Sequence, residues 1–378
     1  MSWDRDTPLF ITAAAGTEVA LKAELRDLGL SGAKGARGGV RVRGGLEAIT
    51  RVCYRSRIAV RVLIEIADFP CGDERALDKG VGALPWDRWL TPEHTLAVRA
   101  TSRASRLDHT GFVAQRTKDA IVDAQRRVCG FRSSVDKKDP DLGVVVRIDR
   151  DRATVSLDAS GASLHRRGWR LEDGPAPLKE TLAAAALRIS GWDRERPLVD
   201  PLCGAGTLPI EAELWARGVP AQRAERRFGF ERWADHDEDA AARAARERAS
   251  GAARAKEDGP SCRGSDADPQ IVEVAAANAE RAGSRATFSV ADLRDVELEE
   301  GAHVIANPPY GERLDATDVW APLDAAVTRW WSRGHPVSLL LPDDAPRLGP
   351  DSEAPLRHAL FNGALRCHLV TWGKPTKD

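Results

Sequence analysis

Apolar and polar positions alternate in short blocks along the first 160 residues of the chain. Residues 10–13, 58–66 and 95–100 carry the pattern of strands, and residues 144–148 with 153–157 form a predicted hairpin. Segments with helical periodicity separate these blocks and begin after Thr17, at Leu46 and at Arg116. This mixture predicts small α/β units.

From residue 178 onwards, apolar strands and amphipathic helices follow one another regularly. Such alternation is typical of a mostly parallel sheet covered by helices. A stretch rich in Arg, Glu and Ala, residues 224–256, interrupts the alternation and predicts an exposed, inserted helix. Strands are predicted at residues 197–200, 261–265, 286–290, 304–306 and 337–341, with a closing pair near residues 360–372.

Composition restricts the class of protein and the compartment. No apolar run approaches the roughly 18 residues that a membrane span requires, and the polar N-terminus has no signal-peptide core. The six cysteines are scattered without a Cys-x-x-Cys pair, which argues against a zinc site and against a disulfide framework. We therefore expect a cytoplasmic protein with no metal and no membrane partner.

The charge is unevenly distributed along the chain. The net charge is −1, but residues 1–170 contain 30 Lys and Arg against 22 Asp and Glu, whereas residues 171–378 contain 26 against 35. A basic half is a candidate for contact with a polyanion such as nucleic acid. Single basic residues are more often part of a solvated face, so the clusters carry more weight than any one side chain.

An apolar strand ends abruptly in Asn307, Pro308, Pro309 and Tyr310. The two prolines remove backbone donors and stiffen the turn. What remains is a side-chain amide, carbonyl oxygens and an aromatic ring, a set suited to a planar group that carries an amine. A plain strand-closing turn explains the tetrapeptide alone equally well.

Three further sites follow earlier strands of the same predicted sheet. Residues 200–207, Asp-Pro-Leu-Cys-Gly-Ala-Gly-Thr, lack both the third glycine of a dinucleotide fingerprint and the Gly-Lys-Ser/Thr of a phosphate loop. Asp266 and Asp292 follow the next two strands, where a ribose and an adenine amine would lie in a nucleoside-binding sheet. Each acid alone is more often a cap or turn residue, and Asp268 is a predicted helix N-cap. Because these sites are all expected at one edge of one sheet, they carry more weight together than any of them does alone.

This ordered set resembles the class I S-adenosylmethionine-dependent methyltransferases that act on amines. More specifically, nearly the whole chain is similar to the bacterial 23S rRNA guanine 2-amino methyltransferases, the L-type large-subunit enzymes. The matching motifs are residues 116–123, 156–161, 164–170, 179–185, 200–207, 229–237, 264–268 and 307–314. Well-known members carry a second methyltransferase module after this one, so we expect that second activity to be absent here.

The resemblance implies a fold: α/β, with a Rossmann-like class I methyltransferase domain preceded by a small ferredoxin-like α/β unit and a THUMP domain. The expected limits are residues 1–45 for the ferredoxin-like unit, 46–160 for the THUMP RNA-binding domain, 161–177 for a linker and 178–378 for the methyltransferase domain.

The resemblance also implies roles for particular residues. Catalysis would involve Asn307, Pro308, Pro309 and Tyr310, with the Asn307 amide and the Pro308 carbonyl holding the target amine. S-adenosyl-L-methionine would contact Lys179, Thr181, Asp200, Cys203, Gly204, Gly206, Thr207, Asp266 and Asp292. RNA would contact Arg116, Lys118, Arg166, Arg167 and Arg170.

The substrate expected from this resemblance is a guanine of 23S rRNA, free or in a pre-50S particle. A tRNA guanine is the nearest alternative, because THUMP-bearing relatives act there too. Asn-Pro-Pro-Tyr also serves adenine-N6 and protein-glutamine methyltransferases, although the basic front half argues against the glutamine enzyme. A non-catalytic RNA-binding assembly factor is a further alternative, which the intact residues 200–207 make less attractive.

Overall fold

The computed structural model describes residues 3–170, 178–309 and 317–373. Its first half contains, in chain order, β1 (Pro8–Thr12), α1 (Glu18–Asp27), β2 (Lys34–Ala36), β3 (Gly39–Arg43), α2 (Leu46–Arg55), β4 (Arg61–Pro70), α3 (Glu74–Gly82), β5 (Thr95–Arg103), α4 (Thr110–Cys129), β6 (Ser134–Val135), β7 (Leu142–Asp149) and β8 (Arg152–Asp158).

The second half continues with α5 (Glu180–Ile189), β9 (Leu198–Asp200), α6 (Thr207–Ala216), α7 (Glu238–Ala252), β10 (Cys262–Asp266), α8 (Pro269–Ala282), β11 (Thr287–Val290), β12 (His303–Ala306), α9 (Thr317–Ser332), β13 (Val337–Pro342), β14 (Leu356–Asn362) and β15 (Leu365–Trp372). Among the described residues, no helix is both long and apolar enough to cross a membrane.

The strands of the first half form one sheet. Within the described chain its order is β2-β3-β1-β4-β8-β7-β5-β6, antiparallel except where β5 pairs with β7 and β6. The predicted hairpin is β7–β8, which turns at Arg150 and Asp151, both with positive φ. Because β1 and β4 are neighbours, the first 45 residues share a sheet with the strands that follow.

The strands of the second half form a second sheet, with the order β11-β10-β9-β12-β13-β15-β14 among the described residues. The strands from β11 to β13 run parallel, and β15 pairs antiparallel with both β13 and β14. The predicted parallel sheet is confirmed. Its first strand, β9, is central, and the chain crosses from one side of β9 to the other between β11 and β12.

The two halves share a hydrophobic core. Phe228, Phe230 and Trp233, from the segment before α7, are buried in the same cluster as the first sheet and α2. Ala184 and Ala185 of α5 belong to that cluster as well. The two halves of the chain are therefore packed together through apolar side chains rather than joined only by the chain.

Helix α7 is exposed over most of its surface, as predicted, but one side of it is buried. Residues 224–256 were expected to form an exposed helix, but α7 buries Ala240, Ala244 and Gly251. It packs on α2, where Arg51 forms a two-bond ion pair with Glu247, with N–O distances of 2.7 and 2.8 Å. The alanine-rich face allows this close approach, so α7 holds the second half against the first.

Candidate functional site

Four predicted site residues lie at the carboxyl ends of adjacent parallel strands, at the same edge of the second sheet. Across the sheet, Asp292 follows β11, Asp266 and Asp200 are the last residues of β10 and β9, and Asn307 follows β12. Ligands of open α/β sheets bind at the carboxyl ends of the strands, where the chain reverses its direction of winding. The structure thus places all four together at the expected edge.

The loop between β9 and α6 (residues 200–207, here the cofactor loop) is shaped by its glycines. Gly204 and Gly206 have φ values of +50° and +82°. A Cβ on Gly206 would lie 2.8 Å from the ring of Phe288, whereas a Cβ on Gly204 would meet nothing within 4 Å. Glycine is therefore required at position 206, because a side chain there would clash and the backbone conformation would be strained. At position 204 the absence of a side chain leaves the loop backbone uncovered on one side.

Asp266 ties the cofactor loop to the neighbouring strand. Its carboxylate accepts hydrogen bonds from the backbone N–H of Gly204 at 3.0 Å and of Asp268 at 3.1 Å. Asp268 is the N-cap of α8, as predicted, and accepts from Gln270 N–H at 2.8 Å. One acid thus orders the loop while the other begins the helix.

Asp200 is a buried acid that accepts a hydrogen bond from the backbone N–H of Leu202 at 3.1 Å. Burial, and then the nearby charge of Asp266, raise its pKa to about 8, against the lowering effect of the Leu202 bond. Burial and the same two carboxylates raise the pKa of the Cys203 thiol well above its usual value. No basic side chain among the described residues compensates Asp200. A buried carboxyl of this kind suits a cationic ligand group, such as the amino group of S-adenosylmethionine.

Asp292 has a different environment. Its carboxylate accepts three hydrogen bonds from Arg294, from the backbone N–H and from two guanidinium nitrogens, at 2.7–2.9 Å. These bonds lower the pKa of Asp292, so the group is ionised at neutral pH. A carboxylate offers about four acceptor positions, which leaves capacity for one more donor.

Asn307 follows β12 with its side-chain oxygen buried and without a donor among the described residues. Pro308 is buried and Pro309 is half-buried beside it. Tyr310, the predicted stacking residue, lies outside the described residues. A buried carbonyl oxygen that lacks a donor is unfavourable unless a ligand supplies one, and this is what a site for an amine requires.

Lys179 and Thr181 stand at the start of α5, and Thr207 at the start of α6. Arg170 joins the two starts, since its Nη2 donates to the carbonyl of Leu178 at 3.0 Å and to Thr207 Oγ1 at 2.5 Å. Lys179 is exposed and Thr181 is buried. Arg170, predicted to contact RNA, is therefore a half-buried link beside the cofactor loop.

The other predicted RNA contacts differ in their exposure. Arg116 is paired with Glu74 at 2.7 Å and with Asp78, and Lys118 is paired with Asp119. Arg166 is exposed.

Arg167 is a correction to the sequence analysis. Its side chain is fully buried, and its Nε lies 3.2 Å from Glu211. The same guanidinium donates to the carbonyls of Leu164 and Arg57. No face of Arg167 is open to RNA, so we leave it out of the proposed RNA contacts.

Asn278 was missed by the sequence analysis. It is buried in α8, and its Nδ2 donates to the carbonyl of Ala205 in the cofactor loop at 3.0 Å. Arg281 Nη2 in turn donates to Asn278 Oδ1 at 2.7 Å. The available signal was a single amide on the otherwise apolar face formed by Val272, Ala275 and Ala279.

No group of three or more potential ligands among the described residues could hold a metal ion. The six cysteines are all free thiols.

Three family models match successive parts of the chain. The RlmL ferredoxin-like domain matches residues 8–63, the THUMP domain matches residues 71–158, and the RMKL-like methyltransferase domain matches residues 167–335. The fold class expected from the sequence is confirmed.

Individual relatives agree with the family models. The Ribosomal RNA large subunit methyltransferase K/L of Syntrophotalea carbinolica is 39% identical over 97% of this chain and 54% of its own length. The chain thus spans about half the length of the curated relatives it matches.

Two solved structures match along their full lengths. One is SMU.472, assigned as a methyltransferase and complexed with SAH, with 30% identity, a TM-score of 0.83 and coverage of 98% of this chain and 99% of that one. The other is a predicted N6-adenine-specific DNA methylase from Listeria monocytogenes str. 4b F2365, with 31% identity, a TM-score of 0.84 and coverage of 97% and 96%. The chain belongs to the family of THUMP-bearing, S-adenosylmethionine-dependent methyltransferases that includes the L-type ribosomal large-subunit enzymes.

Proposed function

We propose that this protein transfers a methyl group from S-adenosylmethionine to the exocyclic 2-amino group of a guanine in 23S rRNA. The observation that carries the proposal is the buried side-chain oxygen of Asn307, which has no donor among the described residues and lies at the sheet edge that holds Asp200, Asp266 and Asp292. An amine placed there would complete the hydrogen bonding of the site.

The cofactor would be held by residues whose chemistry fits its parts. Asp200 would face the cationic methionine end, Asp266 the ribose and Asp292 the adenine amine, with the cofactor loop of residues 200–207 between them. The uncompensated burial of Asp200 and the open side of Gly204 support this arrangement. When bound, S-adenosylmethionine supplies a methyl group attached to a sulfonium sulfur.

Asn307 would orient the nucleophile. The lone pair of a guanine amine is delocalised into the ring, and the amine is therefore a poor nucleophile. Acceptors at Asn307 Oδ1 and at the Pro308 carbonyl would bind the two N–H groups and stabilise the positive charge that develops on nitrogen. A nitrogen–carbon bond forms as the sulfur–carbon bond breaks, and the extra proton leaves the cationic nitrogen for solvent, so no strong general base is needed.

The target base must leave its stack to reach this edge. We propose that Tyr310 stacks on the extruded base, and that the THUMP part delivers the RNA. The curated relatives, named as ribosomal RNA large subunit methyltransferases, favour rRNA over tRNA, and a pre-50S particle is a possible form of the substrate. We also propose the division at residues 45, 160 and 177 and a cytoplasmic location, which the free thiols support.

Nucleoside mass spectrometry tests the proposal. Large-subunit rRNA, small-subunit rRNA and tRNA would be purified from cells with and without the gene, and then digested to nucleosides. We expect N2-methylguanosine to fall in the large-subunit fraction alone, and to return on complementation. A loss confined to tRNA would select the tRNA alternative. A loss of N6-methyladenosine instead would favour the adenine chemistry named for the Listeria neighbour.

A further inference from the structure

A cavity of about 860 Å³ lies between the first sheet and the start of α5, outside the cofactor loop. We call it the interdomain cleft, and six cations line it: Arg61, Arg99, Lys137, Lys138, Arg166 and Lys179. We infer that the interdomain cleft binds a single-stranded segment of the RNA substrate, with lysines on its phosphates and Phe361 stacked on a base. The inference rests on the proposed function for the identity of the nucleic acid.

The charges of the cleft are strongly one-sided. Asp139, the one carboxylate among the described residues that line the cleft, is engaged by Arg232 at 2.8 Å. Lys137, Lys138 and Lys179 are exposed and carry no ion pair within the described part of the chain, and the same holds for Arg166. Unpaired cations that converge on one cavity are the pattern expected for contacts to backbone phosphates.

Two of the cations are fixed by a buried acid. Asp158 is buried and pairs with Arg61, and Arg99 lies 3.6 Å from the same carboxylate. His165 also lines the cleft, and burial, followed by the charges of Lys179 and Arg166, lowers its pKa to about 4. The histidine is therefore neutral at physiological pH, mainly because it is buried, and the neighbouring cations add to the effect.

An aromatic side chain completes the lining. Phe361, near the end of β14, is half-buried and faces the cleft. A basic groove with an aromatic ring is the usual platform for single-stranded nucleic acid, because each base has a face that can stack. The volume falls within the range of about 300–1,000 Å³ typical of sites for small ligands, so the cleft suits a few unpaired nucleotides rather than a duplex.

The walls of the cleft come from both halves of the protein and are held together. His358 Nε2 lies 2.7 Å from the carbonyl oxygen of Gly16, next to the lining residues 13–15. A Cβ on Gly16 would lie 2.2 Å from the carbonyl oxygen of Ala359, so the two backbones are in direct contact. The cleft is therefore a formed feature of the assembled chain.

The cleft adjoins the cofactor loop. Lys179 follows Leu178, whose carbonyl is joined through Arg170 to Thr207 at the end of that loop. Lys179 was expected to contact the cofactor, but its exposure and its place in the cleft assign it to the RNA instead.

The test is equilibrium binding of the full chain, without cofactor, to a fluorescein-labelled single-stranded RNA and to the same RNA annealed to its complement. The variants are Lys137→Gln/Lys138→Gln, Lys179→Gln and Phe361→Leu. The matched control is Arg75→Gln/Lys79→Gln, two exposed cations on α3 at the opposite end of β4 from the cleft. Circular dichroism confirms that each variant is folded.

We expect the double lysine variant to weaken single-strand binding about tenfold and to reduce the slope of log K against log salt by about 1.4, since each lost phosphate contact contributes about 0.7. Phe361→Leu should weaken binding about tenfold, the lower part of the range for one stacked base, with the salt slope unchanged. The control should match the parent chain.

Unchanged affinity of the lysine variants for the single-stranded RNA would overturn the inference. So would a parent chain that binds the duplex more tightly than the single strand, with variants that lose the same affinity for both. Lys179→Gln should leave the affinity for S-adenosylhomocysteine unchanged by calorimetry, and a loss there would return this residue to the cofactor site. Failure of the proposed methylation would appear separately, as an unchanged nucleoside profile in cells lacking the gene.

Discussion

Within the described residues, the buried side-chain oxygen of Asn307 has no donor and the buried carboxyl of Asp200 has no basic partner. The two residues lie at the carboxyl ends of the paired strands β12 and β9. Buried groups of this kind reduce the stability of a fold, and they recur at ligand sites because a ligand compensates them. The sequence placed both residues at strand ends, whereas their burial and missing partners became visible only with packing.

Replacing Asn307 tests whether its amide acts on the target amine. We expect Asn307→Ala to lower the methylation rate at least about 100-fold, the scale found when one transition-state hydrogen-bonding group is removed. The affinity for S-adenosylhomocysteine, measured by calorimetry, should stay within about twofold because the cofactor residues are untouched. Single-turnover kinetics separate the two quantities. Turnover close to that of the parent chain would contradict the amine-binding role.

Asp200 makes stability depend on pH. Its pKa is about 8 in the folded chain against about 3.9 unfolded, so the unfolded state loses its proton first as the pH rises. The folded state is therefore destabilised progressively between these two values, at about 1.4 kcal/mol per pH unit at most. Asp200→Asn should raise the free energy of unfolding at about pH 8 and change it little near pH 4.

Urea unfolding at both pH values measures this effect. Asp295→Asn is the matched control, since it makes the same substitution at an exposed aspartate. If Asp200→Asn changed the free energy of unfolding equally at both pH values, the effect would come from altered packing and not from the ionisation of Asp200. Addition of S-adenosylhomocysteine should reduce the difference, because its cationic amine would compensate the ionised Asp200.

At the scale of elements, the positions of the strands were predicted better than the limits and the burial of the helices. The predicted strand at residues 197–200 is β9, and the predicted helix at Arg116 begins six residues earlier, at Thr110, because His109 caps it through a bond to Phe112 N–H. Helix α3 was not predicted, since it contains Gly80 and Gly82 and buries only Leu77 and Val81. Apolar strand runs signal burial directly, whereas short or glycine-containing helices do not.

Helix α7 shows why the burial of a helix face cannot be predicted from composition alone. Its alanines, arginines and glutamates are equally compatible with a solvated helix, and its partner α2 lies far away in the sequence. Glu47 and Arg51 on α2 face Arg243 and Glu247 on α7 in complementary order, with Arg243 Nε 2.7 Å from Glu47. Only the folded chain brings the two pairs together.

The pair Arg51–Glu247 should contribute measurably to docking. A double-mutant cycle with Arg51→Gln and Glu247→Gln should give a coupling free energy of about 1 kcal/mol, since the pair has two hydrogen bonds and is partly shielded from solvent. Urea unfolding measures it. The exposed pair Arg347–Asp351 serves as the comparison and should couple by less than about 0.5 kcal/mol. Equal coupling in both pairs would refute a specific role at this contact.

At the scale of the whole molecule, the two halves meet through a buried charged cluster. Glu211 on α6 lies 2.9 Å from Arg57 Nη1 and 3.2 Å from Arg167 Nε, and all three side chains are buried. Arg57 belongs to the first half, Arg167 to the segment between the sheets, and α6 begins at the cofactor loop. The cluster therefore fixes the loop's helix relative to the part proposed to hold RNA.

This arrangement also limits what a deletion can reveal. The first sheet shares its core with Phe228, Phe230 and Trp233, so removal of residues 1–160 would expose apolar surface of the second half. Loss of RNA affinity in such a fragment would not separate delivery from folding. Point substitutions in the full chain separate RNA delivery from folding more clearly. The family resemblance identified the parts from sequence, but long-range contacts decide how they are coupled.

Glu211→Gln tests the coupling. Burial alone would raise the pKa of Glu211, but the charges and hydrogen bonds of Arg167 and Arg57 outweigh it and lower the pKa. A carboxyl group whose folded pKa is depressed stabilises the fold above its unfolded value of about 4.3, and this contribution is lost as the pH falls through the folded value. Glutamine would remove the carboxylate that pairs with both buried guanidiniums, at a cost of about 3–5 kcal/mol near neutral pH.

The measurement is urea unfolding of the variant and of Glu280→Gln, an exposed glutamate on α8, from about pH 7 down to about pH 3. The Glu211→Gln deficit should be largest at neutral pH and shrink below about pH 4, where the parent chain also loses the charge. The control should stay within about 0.5 kcal/mol of the parent. A Glu211→Gln deficit as small as that of the control would mean that the packed core alone, and not this charged cluster, holds the two halves together.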